Sequence, residues 1–290
     1  MTKPPQLVAP VHAGAQAMGP LLTDIKQHGF ARVRLNAEQQ TALDALWQQT
    51  IDFSKLPAAQ KSRYSLPKLN NGYRPLGAAH AGDPDVPDYN DSFLYWGETS
   101  AEAIAHRDEI QPLLSALEAY RSVVAVPIMS KLVAELCHYY GTNPATLPFE
   151  GASVLQFNSF DVPTDRELLQ TRHEDGVVAT IIWTSAPGLE AYHGDQIEPL
   201  TPEKGEVFIM PGGILEAMTG GEFEPLYHQA RNHNHLGRKS IMYFSNFDPR
   251  PGKLAHFVSN EHNKDKDLTS LILGSPDMFG LPDGFYVETT

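Results

Sequence analysis

Two histidines and one aspartate are the residues of this chain with the clearest chemical potential. His173 and Asp175 form a His-x-Asp pair, and His228 follows 55 positions after His173. In an extended segment, residues i and i+2 point to the same side, so His173 and Asp175 can converge on one ion, whereas Glu174 points away. Two imidazoles and one carboxylate are the ligand set that holds non-heme Fe(II) by one face and leaves the other open. The pattern predicts an iron site.

Two other histidines compete with His228 for the role of the distant ligand. The chain has 12 histidines, and His233 and His235 follow His228 closely. They precede Arg238 by only 5 and 3 positions, a spacing that favours loop residues. We therefore predict His228 as the third ligand, with the other two histidines as the alternatives.

Arg238 and Ser240 form a second candidate site, which begins ten positions after His228. A planar guanidinium matches a carboxylate bidentately, and in a strand the serine shares the face of the arginine. The ordinary alternative is a solvent-exposed arginine, which is the common case for this residue type. The pair predicts a seat for a small carboxylate.

The ordered motifs His173-x-Asp175, His228 and Arg238-x-Ser240 resemble the signature of the 2-oxoglutarate-dependent Fe(II) oxygenases. Within that superfamily, the stretch 194–249 is similar to the branch that includes isopenicillin N synthase and the plant flavonoid dioxygenases. The resemblance implies Fe(II), O2 and 2-oxoglutarate, whose distal carboxylate Arg238 and Ser240 would hold. It also implies that a small-molecule substrate is hydroxylated, desaturated or cyclised, with release of succinate and CO2 and without a general base.

Two positions depart from the pattern of this branch. Asn158 and Phe160 match the family's N-Y-Y region, which implies a co-substrate role for Asn158, but Phe160 lacks the hydroxyl that the last tyrosine often donates. Gly213 stands where the family often has aspartate.

The missing hydroxyl keeps open an oxidase of the isopenicillin N synthase type, which uses the Arg-Ser pair for substrate and consumes no 2-oxoglutarate. A non-catalytic binding protein of the same fold is the third alternative, although it would be expected to have lost a ligand.

Composition limits the class of protein. The chain has 290 residues, of which 41% are hydrophobic, and a formal net charge of −13, which disfavours nucleic acid or an anionic membrane as a partner. The single cysteine, Cys137, excludes an intramolecular disulfide and a thiolate-rich metal site. We find no apolar run of signal-peptide length and none that approaches a membrane span. We expect a cytoplasmic protein that acts on a small molecule.

The elements that must position these residues fall into three regions of one predicted domain, 1–290. Region 1–150 reads as helical and loop-rich, with helices at 16–28, 37–53 and 110–141, the last interrupted at Pro127. Region 151–250 carries short β-branched and aromatic runs typical of a jelly roll, which the resemblance narrows to a distorted double-stranded β-helix. Region 251–290 is expected to form a short helix and a tail. The predicted fold class is therefore mainly β with flanking helices (α+β).

Substrate contacts are expected in loops over the mouth of the barrel. The stretch 70–96 is rich in Gly, Pro, Asp and Asn, with a short strand expected at 92–96. The candidate substrate residues are Arg74, Tyr95, Phe160 and Phe244.

Overall fold

Two antiparallel sheets form the centre of the protein. The computed structural model describes residues 16–81, 83, 85–249 and 254–273. The strands are β1 (Ala31–Arg34), β2 (Gly72–Arg74), β3 (Asp91–Tyr95), β4 (Val154–Phe160), β5 (Leu168–His173), β6 (Ala179–Thr184), β7 (Leu189–His193), β8 (Gln196–Pro199), β9 (Glu206–Pro211), β10 (His228–Arg231) and β11 (Arg238–Ser245). Their order is β1-β9-β6-β11-β4-β3-β2 in the large sheet and β5-β10-β7-β8 in the small one. The predicted jelly-roll fold is confirmed.

Helices cover the outer face of the large sheet. They are α1 (Pro20–His28), α2 (Ala37–Ser54), α3 (Ala58–Lys61), α4 (Glu98–Ala101), α5 (Gln111–Tyr120), α6 (Val126–Tyr140), α7 (Gly213–Thr219) and α8 (Leu268–Leu273). The outward-facing side chains of the strands join the helices in one core. At its edge, the exposed Trp47 of α2 meets Trp183 of β6 edge to face at 5.7 Å. A second core lies between the two sheets. The cavity described below is therefore bounded by sheet on two sides.

The first helices begin and end where local chemistry dictates. Asn36 caps α2 by accepting from the Gln39 N–H, and the Gln39 side chain accepts from the Asn36 N–H in return, which forms a capping box. α1 ends at Gly29, whose φ of 77° is in the left-handed region that glycine adopts without strain. The helices predicted at 16–28 and 37–53 are confirmed within a few residues.

The long helix predicted over 110–141 is present, with an interruption just before Pro127. Proline has no N–H, so the carbonyl four residues earlier, that of Val123, loses its helical donor. The turn Arg121–Ala125 is π-helical, and the Gln39 side chain donates to the Val123 carbonyl at 3.3 Å. The residue that completes the cap of α2 therefore also satisfies the carbonyl freed in the neighbouring helix.

This helical run also corrects one expectation. Over Arg107–Tyr140 an 18-residue window reaches a mean hydropathy of 1.2, long and apolar enough to cross a membrane by that measure, whereas we expected no such segment. Half of that window is buried inside the protein, and its leucines contribute to the core beneath the large sheet. Burial against the sheet accounts for its apolar character.

Several elements were missed by the sequence patterns. β5, β7, β8 and β10 form the small sheet, and β2 lies in the stretch that we expected to be mostly loop. These strands are short and carry polar residues, so they lack the apolar alternation that identifies a strand. α8 fits the expected short C-terminal helix, while the predicted tail, 274–290, lies outside the described residues.

The cap of α2 gives a stability prediction. Replacing Asn36 with alanine removes the acceptor for the Gln39 N–H and should lower the free energy of unfolding by about 1 kcal/mol. Urea denaturation measures the change. Gln48→Ala, at an exposed position in the same helix, is the control and should stay within about 0.5 kcal/mol of the unmodified protein. An equal effect in both variants would contradict the capping role.

Candidate metal and co-substrate site

The pairing of β5 with β10 brings the two predicted histidine ligands together. His228 is the direct antiparallel partner of His173, and their ring centroids lie 4.3 Å apart. Asp175 follows two residues after His173, and its Oδ1 lies 3.7 Å from Nε2 of His173 and 3.8 Å from Nε2 of His228. The three ligand atoms lie within 4.8 Å of one another. One ion placed among them can bind all three.

Second contacts fix which atom of each ligand faces the ion. His173 Nδ1 lies 2.7 Å from the Thr171 carbonyl, and His228 Nδ1 lies 3.0 Å from the Leu226 carbonyl. A carbonyl only accepts, so each Nδ1 must carry the proton and each Nε2 keeps a free lone pair. Both imidazoles are therefore held in the tautomer that a metal requires.

The carboxylate is oriented in the same way. The Thr180 hydroxyl donates to Asp175 Oδ2 at 2.5 Å, which leaves Oδ1 toward the histidines. The main chain turns back sharply after Asp175, and the Asp175 carbonyl accepts from the Gly213 N–H at 3.1 Å. A Cβ at Gly212 would lie 2.3 Å from the Asp175 carbonyl oxygen, so this close approach requires glycine.

The electrostatics of the site favour a bound cation. Burial lowers the pKa of His228 to about 4, with the neighbouring His173 as a further cause, so His228 is neutral at pH 7. Asp175 is 5% exposed. Two imidazole nitrogens and one carboxylate oxygen fit Fe(II) by donor type. Among the described residues, these three form the one group of His, Cys, Asp and Glu side chains close enough to share an ion.

The alternatives to these ligands lie elsewhere. Glu174 accepts from the Gly213 N–H at 2.8 Å, and burial raises the pKa of its carboxyl. His233 and His235 lie in the exposed loop after β10. The structure therefore brings together the preferred ligand set and separates the residues that competed with it.

A cavity of about 760 Å³, including its open mouth, extends from the three ligands between the sheets. Its walls combine polar and apolar side chains. Beyond the three ligands, the residues that line it are Arg74, Ala79, His80, Ala81, Asp88, Asn90, Gln156, Asn158, Gln170, Ile182, Leu189, Met210, Gln229, Ala230, Arg238, Ser240, Met242 and Phe244.

Arg238 is a buried cation without an acidic partner among the described residues. It is 4% exposed, its Nη1 is buried without a hydrogen-bond partner, and its Nε donates to the Ala186 carbonyl at 3.3 Å. Burial lowers the pKa of its guanidinium to about 10, which still leaves it charged at pH 7. Leaving a buried charge unpaired costs several kcal/mol, on the order of 3–5 for a broken buried pair. The arrangement suits a carboxylate ligand.

A row of polar residues crosses the inner face of the large sheet beside Arg238. Directly opposite residues on antiparallel strands share a face. The successive partners are Arg74 (β2), Ser92 (β3), Asn158 (β4), Ser240 (β11) and Thr184 (β6). Arg74, Asn158 and Ser240 of this row line the cavity. The predicted co-substrate residues thus meet at one end of the row, and Arg74 stands at the other.

Two of the four candidate substrate residues need correction. Tyr95 does not reach the cavity, because its position on β3 faces the helices, where its hydroxyl donates to Glu118 at 2.8 Å. Phe160 is not among the lining residues and instead lies under Arg238, with its ring centroid 4.9 Å from the guanidinium carbon. Arg74 and Phe244 do line the cavity. Successive side chains of a strand point to opposite faces of the sheet, so Tyr95 faces the helices whereas its neighbour on β3 faces the other way.

Several lining residues were missed, although strand periodicity could have found some of them. Gln156 lies two positions before Asn158, and Met242 two after Ser240, so each shares the face of a predicted residue. Asp88 and Asn90 come from the loop before β3, where one sequence offers no such signal. Gly213, the second departure from the family pattern, begins α7 and donates to Glu174 and Asp175 through its N–H.

Comparison with known proteins agrees with this geometry. Residues 150–247 match the model of the 2OG-Fe(II) oxygenase superfamily, a span that contains β4 through β11 and all three ligands. The core of this chain is therefore similar to that of the 2OG-Fe(II) oxygenases. Sequence comparison finds no match among curated proteins.

Similar solved structures extend over most of the chain. A full-length Neurospora crassa protein in complex with alpha-KG has a TM-score of 0.71 at 17% identity, with 88% of each chain covered. A putative 2OG-Fe(II) oxygenase family protein from Caulobacter crescentus has a TM-score of 0.66 at 21% identity, covering 85% of this chain and 87% of that one. The dioxygenase for auxin oxidation 1 from Arabidopsis thaliana, in a binary complex with 2-oxoglutarate, has a TM-score of 0.63 at 20% identity, covering 83% and 94%. Likeness at these identities shows the fold, including the N-terminal region that the family model leaves out.

Removing one histidine tests the metal site. His228→Ala should abolish tight Fe(II) binding, because it leaves two ligands and an uncompensated Asp175 carboxylate. An anaerobic calorimetric titration with Fe(II) measures the stoichiometry and the affinity of Fe(II) binding. His233→Ala is the matched control and should bind one Fe(II) with unchanged affinity. Unchanged binding in His228→Ala, or loss in His233→Ala, would contradict the assignment.

Proposed function

We propose that this protein is an oxidoreductase that uses Fe(II), O2 and 2-oxoglutarate to oxidise a small molecule, with release of succinate and CO2. The observation that carries the proposal is the uncompensated guanidinium of Arg238 in the same cavity as His173, Asp175 and His228. A dicarboxylate could bind the metal with one end and pair with the guanidinium of Arg238 with the other. The Neurospora crassa and Arabidopsis thaliana structures, which contain alpha-KG and 2-oxoglutarate respectively, support this proposal.

The residues of the chain have separate tasks in this proposal. Fe(II), when bound, supplies the activation of O2 that drives decarboxylation of the co-substrate and oxidation of the substrate. His173, Asp175 and His228 hold the metal by one face. Arg238 and Ser240 fix the distal carboxylate, and the surrounding sheet residues exclude water from the reacting groups. No proton-transferring side chain is assigned.

The seat for the distal carboxylate has to be completed without a tyrosine. Phe160 presents its ring to Arg238, which is cation–π support for the guanidinium but offers no hydroxyl. Thr184 lies directly opposite Ser240 on the inner face and is 4% exposed. It is not one of the residues that line the cavity, but its hydroxyl is buried beside them without a partner. We propose that the Thr184 hydroxyl donates to the co-substrate in place of the missing tyrosine.

The second candidate function is an Fe(II) oxidase that consumes no 2-oxoglutarate. Phe160 favours it, because the usual tyrosine donor is missing. In that case Arg238 and Ser240 would bind the substrate itself. The two functions differ in two products, because an oxidase releases neither succinate nor CO2 from 2-oxoglutarate when it turns over.

The Arg238 seat predicts a loss of co-substrate affinity on a change that keeps the charge. Arg238→Lys loses the planar fork and one charge-assisted hydrogen bond. The cost should be about 1.5–3 kcal/mol, a roughly ten- to hundredfold increase in the Kd of 2-oxoglutarate, with Fe(II) affinity unchanged. Anaerobic calorimetry with the Fe(II) protein measures both.

Arg231→Lys is the matched control for this change. Arg231 lies on β10 and pairs with Glu167 and Glu190 outside the cavity. Its replacement should leave the Kd of 2-oxoglutarate unchanged. If Arg238→Lys and the unmodified protein have the same Kd for 2-oxoglutarate, the co-substrate does not bind to Arg238.

Thr184→Val should change stability and affinity in opposite directions. Without ligand, the substitution removes a buried unpaired hydroxyl and should raise the free energy of unfolding, by up to about 1 kcal/mol. With 2-oxoglutarate, it removes a hydrogen bond to a charged group worth about 1.5 kcal/mol, so the Kd should rise roughly tenfold. Urea denaturation and calorimetry give the two values.

Thr184→Ser keeps the hydroxyl and serves as the control. It should retain the 2-oxoglutarate affinity of the unmodified protein. If valine and serine variants bind 2-oxoglutarate equally well, Thr184 does not contact the co-substrate.

A further inference from the structure

A second buried arginine, Arg74, lines the cavity at the end of the polar row away from Ser240. The residue is 8% exposed, and its Nε donates to the Leu69 carbonyl at 2.8 Å. Burial lowers the pKa of this guanidinium. Among the described residues, no carboxylate forms an ion pair with Arg74.

The acidic residue that shares this part of the cavity is already engaged. The charge of Asp88 acts on the pKa of Arg74 against the larger effect of burial. However, Asp88 Oδ1 accepts from the Ala81 N–H at 2.9 Å and Oδ2 from the Gln170 side chain at 3.0 Å. Both carboxylate oxygens thus hold the surrounding loop and small sheet. Arg74 still has donors to offer to a ligand.

Arg74 and Arg238 are placed to serve different anions. β2 and β11 are separated by β3 and β4 in the large sheet. At a strand spacing of about 4.8 Å, the backbones of Arg74 and Ser240 are therefore roughly 14 Å apart. A co-substrate whose distal carboxylate occupies the Arg238 seat and whose other end reaches the metal leaves Arg74 unoccupied. A second anionic group could therefore bind Arg74, beside the charge of Asp88.

The rest of the cavity indicates what carries that group. The row of the inner face next to the polar one is mostly apolar and includes Met242 and Ile182, with Phe244 and Met210 beyond. A ligand held by Arg74 thus extends over an apolar wall before it meets the metal ligands. The arrangement suits a molecule with one charged end and a hydrocarbon body.

We propose that the substrate is a small carboxylic acid with an apolar body, anchored through its carboxylate by Arg74. This inference rests on the proposed function, because it assigns the remaining space of the same cavity to the molecule that is oxidised. Arg74 is then a specificity-determining residue. Its fork would bind the carboxylate, while the hydrocarbon end lies toward the metal.

A matched panel of compounds tests the inference. The probes are straight-chain, branched and aryl-substituted monocarboxylic acids, each paired with its primary amide, which keeps the shape and removes the charge. CO2 release from 2-oxoglutarate by the Fe(II) protein is measured with each probe, and binding of each probe is measured by calorimetry without 2-oxoglutarate. Acids should bind and stimulate CO2 release, and the matched amides should do so at least about tenfold less well.

Variants then assign the effect to Arg74. Arg74→Gln should raise the Kd of the best acid about ten- to hundredfold and leave its amide unaffected, with the Kd of 2-oxoglutarate unchanged. Arg74→Lys keeps the charge and should recover part of the affinity, which guards against a folding defect in the glutamine variant. Arg172→Gln is the control, because Arg172 stacks on Tyr192 and Tyr227 away from the cavity.

The outcomes separate this inference from the proposed function. Amides that bind as well as acids, acid affinity unchanged in Arg74→Gln, or a panel in which no acid binds would overturn the carboxylate assignment. If acids bind through Arg74 but the protein neither binds nor consumes 2-oxoglutarate, the anion seat stands and the proposed function fails instead.

Discussion

The antiparallel pairing of β5 with β10 is the constraint on which the rest of the site depends. It sets His173 directly opposite His228, and the ladder is irregular immediately after that pair. A shift of one residue would turn either imidazole to the other face of the small sheet. The carbonyls of Thr171 and Leu226 then hold both rings in the metal-binding tautomer. Backbone register therefore determines most of the geometry of the metal site.

Two buried arginines that form no ion pair with a described residue define the rest of the cavity. Arg238 and Arg74 are both buried on the inner face of the large sheet, and neither forms an ion pair with a described carboxylate. The other buried cations of the described chain are paired, as Lys239 is with Asp161 at 2.7 Å and Lys61 with Asp91. Of the four buried lysines and arginines in the described part of the structure, the two without an ion pair are the two that line the cavity. Ligand anions are the physical explanation that fits both.

The sequence was most informative where chemistry and strand periodicity coincide. His173-x-Asp175 and Arg238-x-Ser240 each place two functional side chains on one strand face, so their spacing alone indicated that they act together. The prediction of Tyr95 as a substrate residue was wrong because no local pattern shows which face of β3 points to the cavity. Thr184 and Gln156 were missed because their roles come from partners on other strands. The small sheet was missed for a related reason, since its short polar strands are stabilised by pairing rather than by an apolar pattern of their own.

The most direct test of the account is whether metal and 2-oxoglutarate occupy this cavity together. The measurement is the anaerobic absorption spectrum of the Fe(II) protein during titration with 2-oxoglutarate. We expect a visible band that forms as 2-oxoglutarate chelates the metal and that saturates at one equivalent per iron. An Fe(II) protein that shows no such band at any 2-oxoglutarate concentration, yet consumes O2 with a substrate, would contradict it and favour the oxidase.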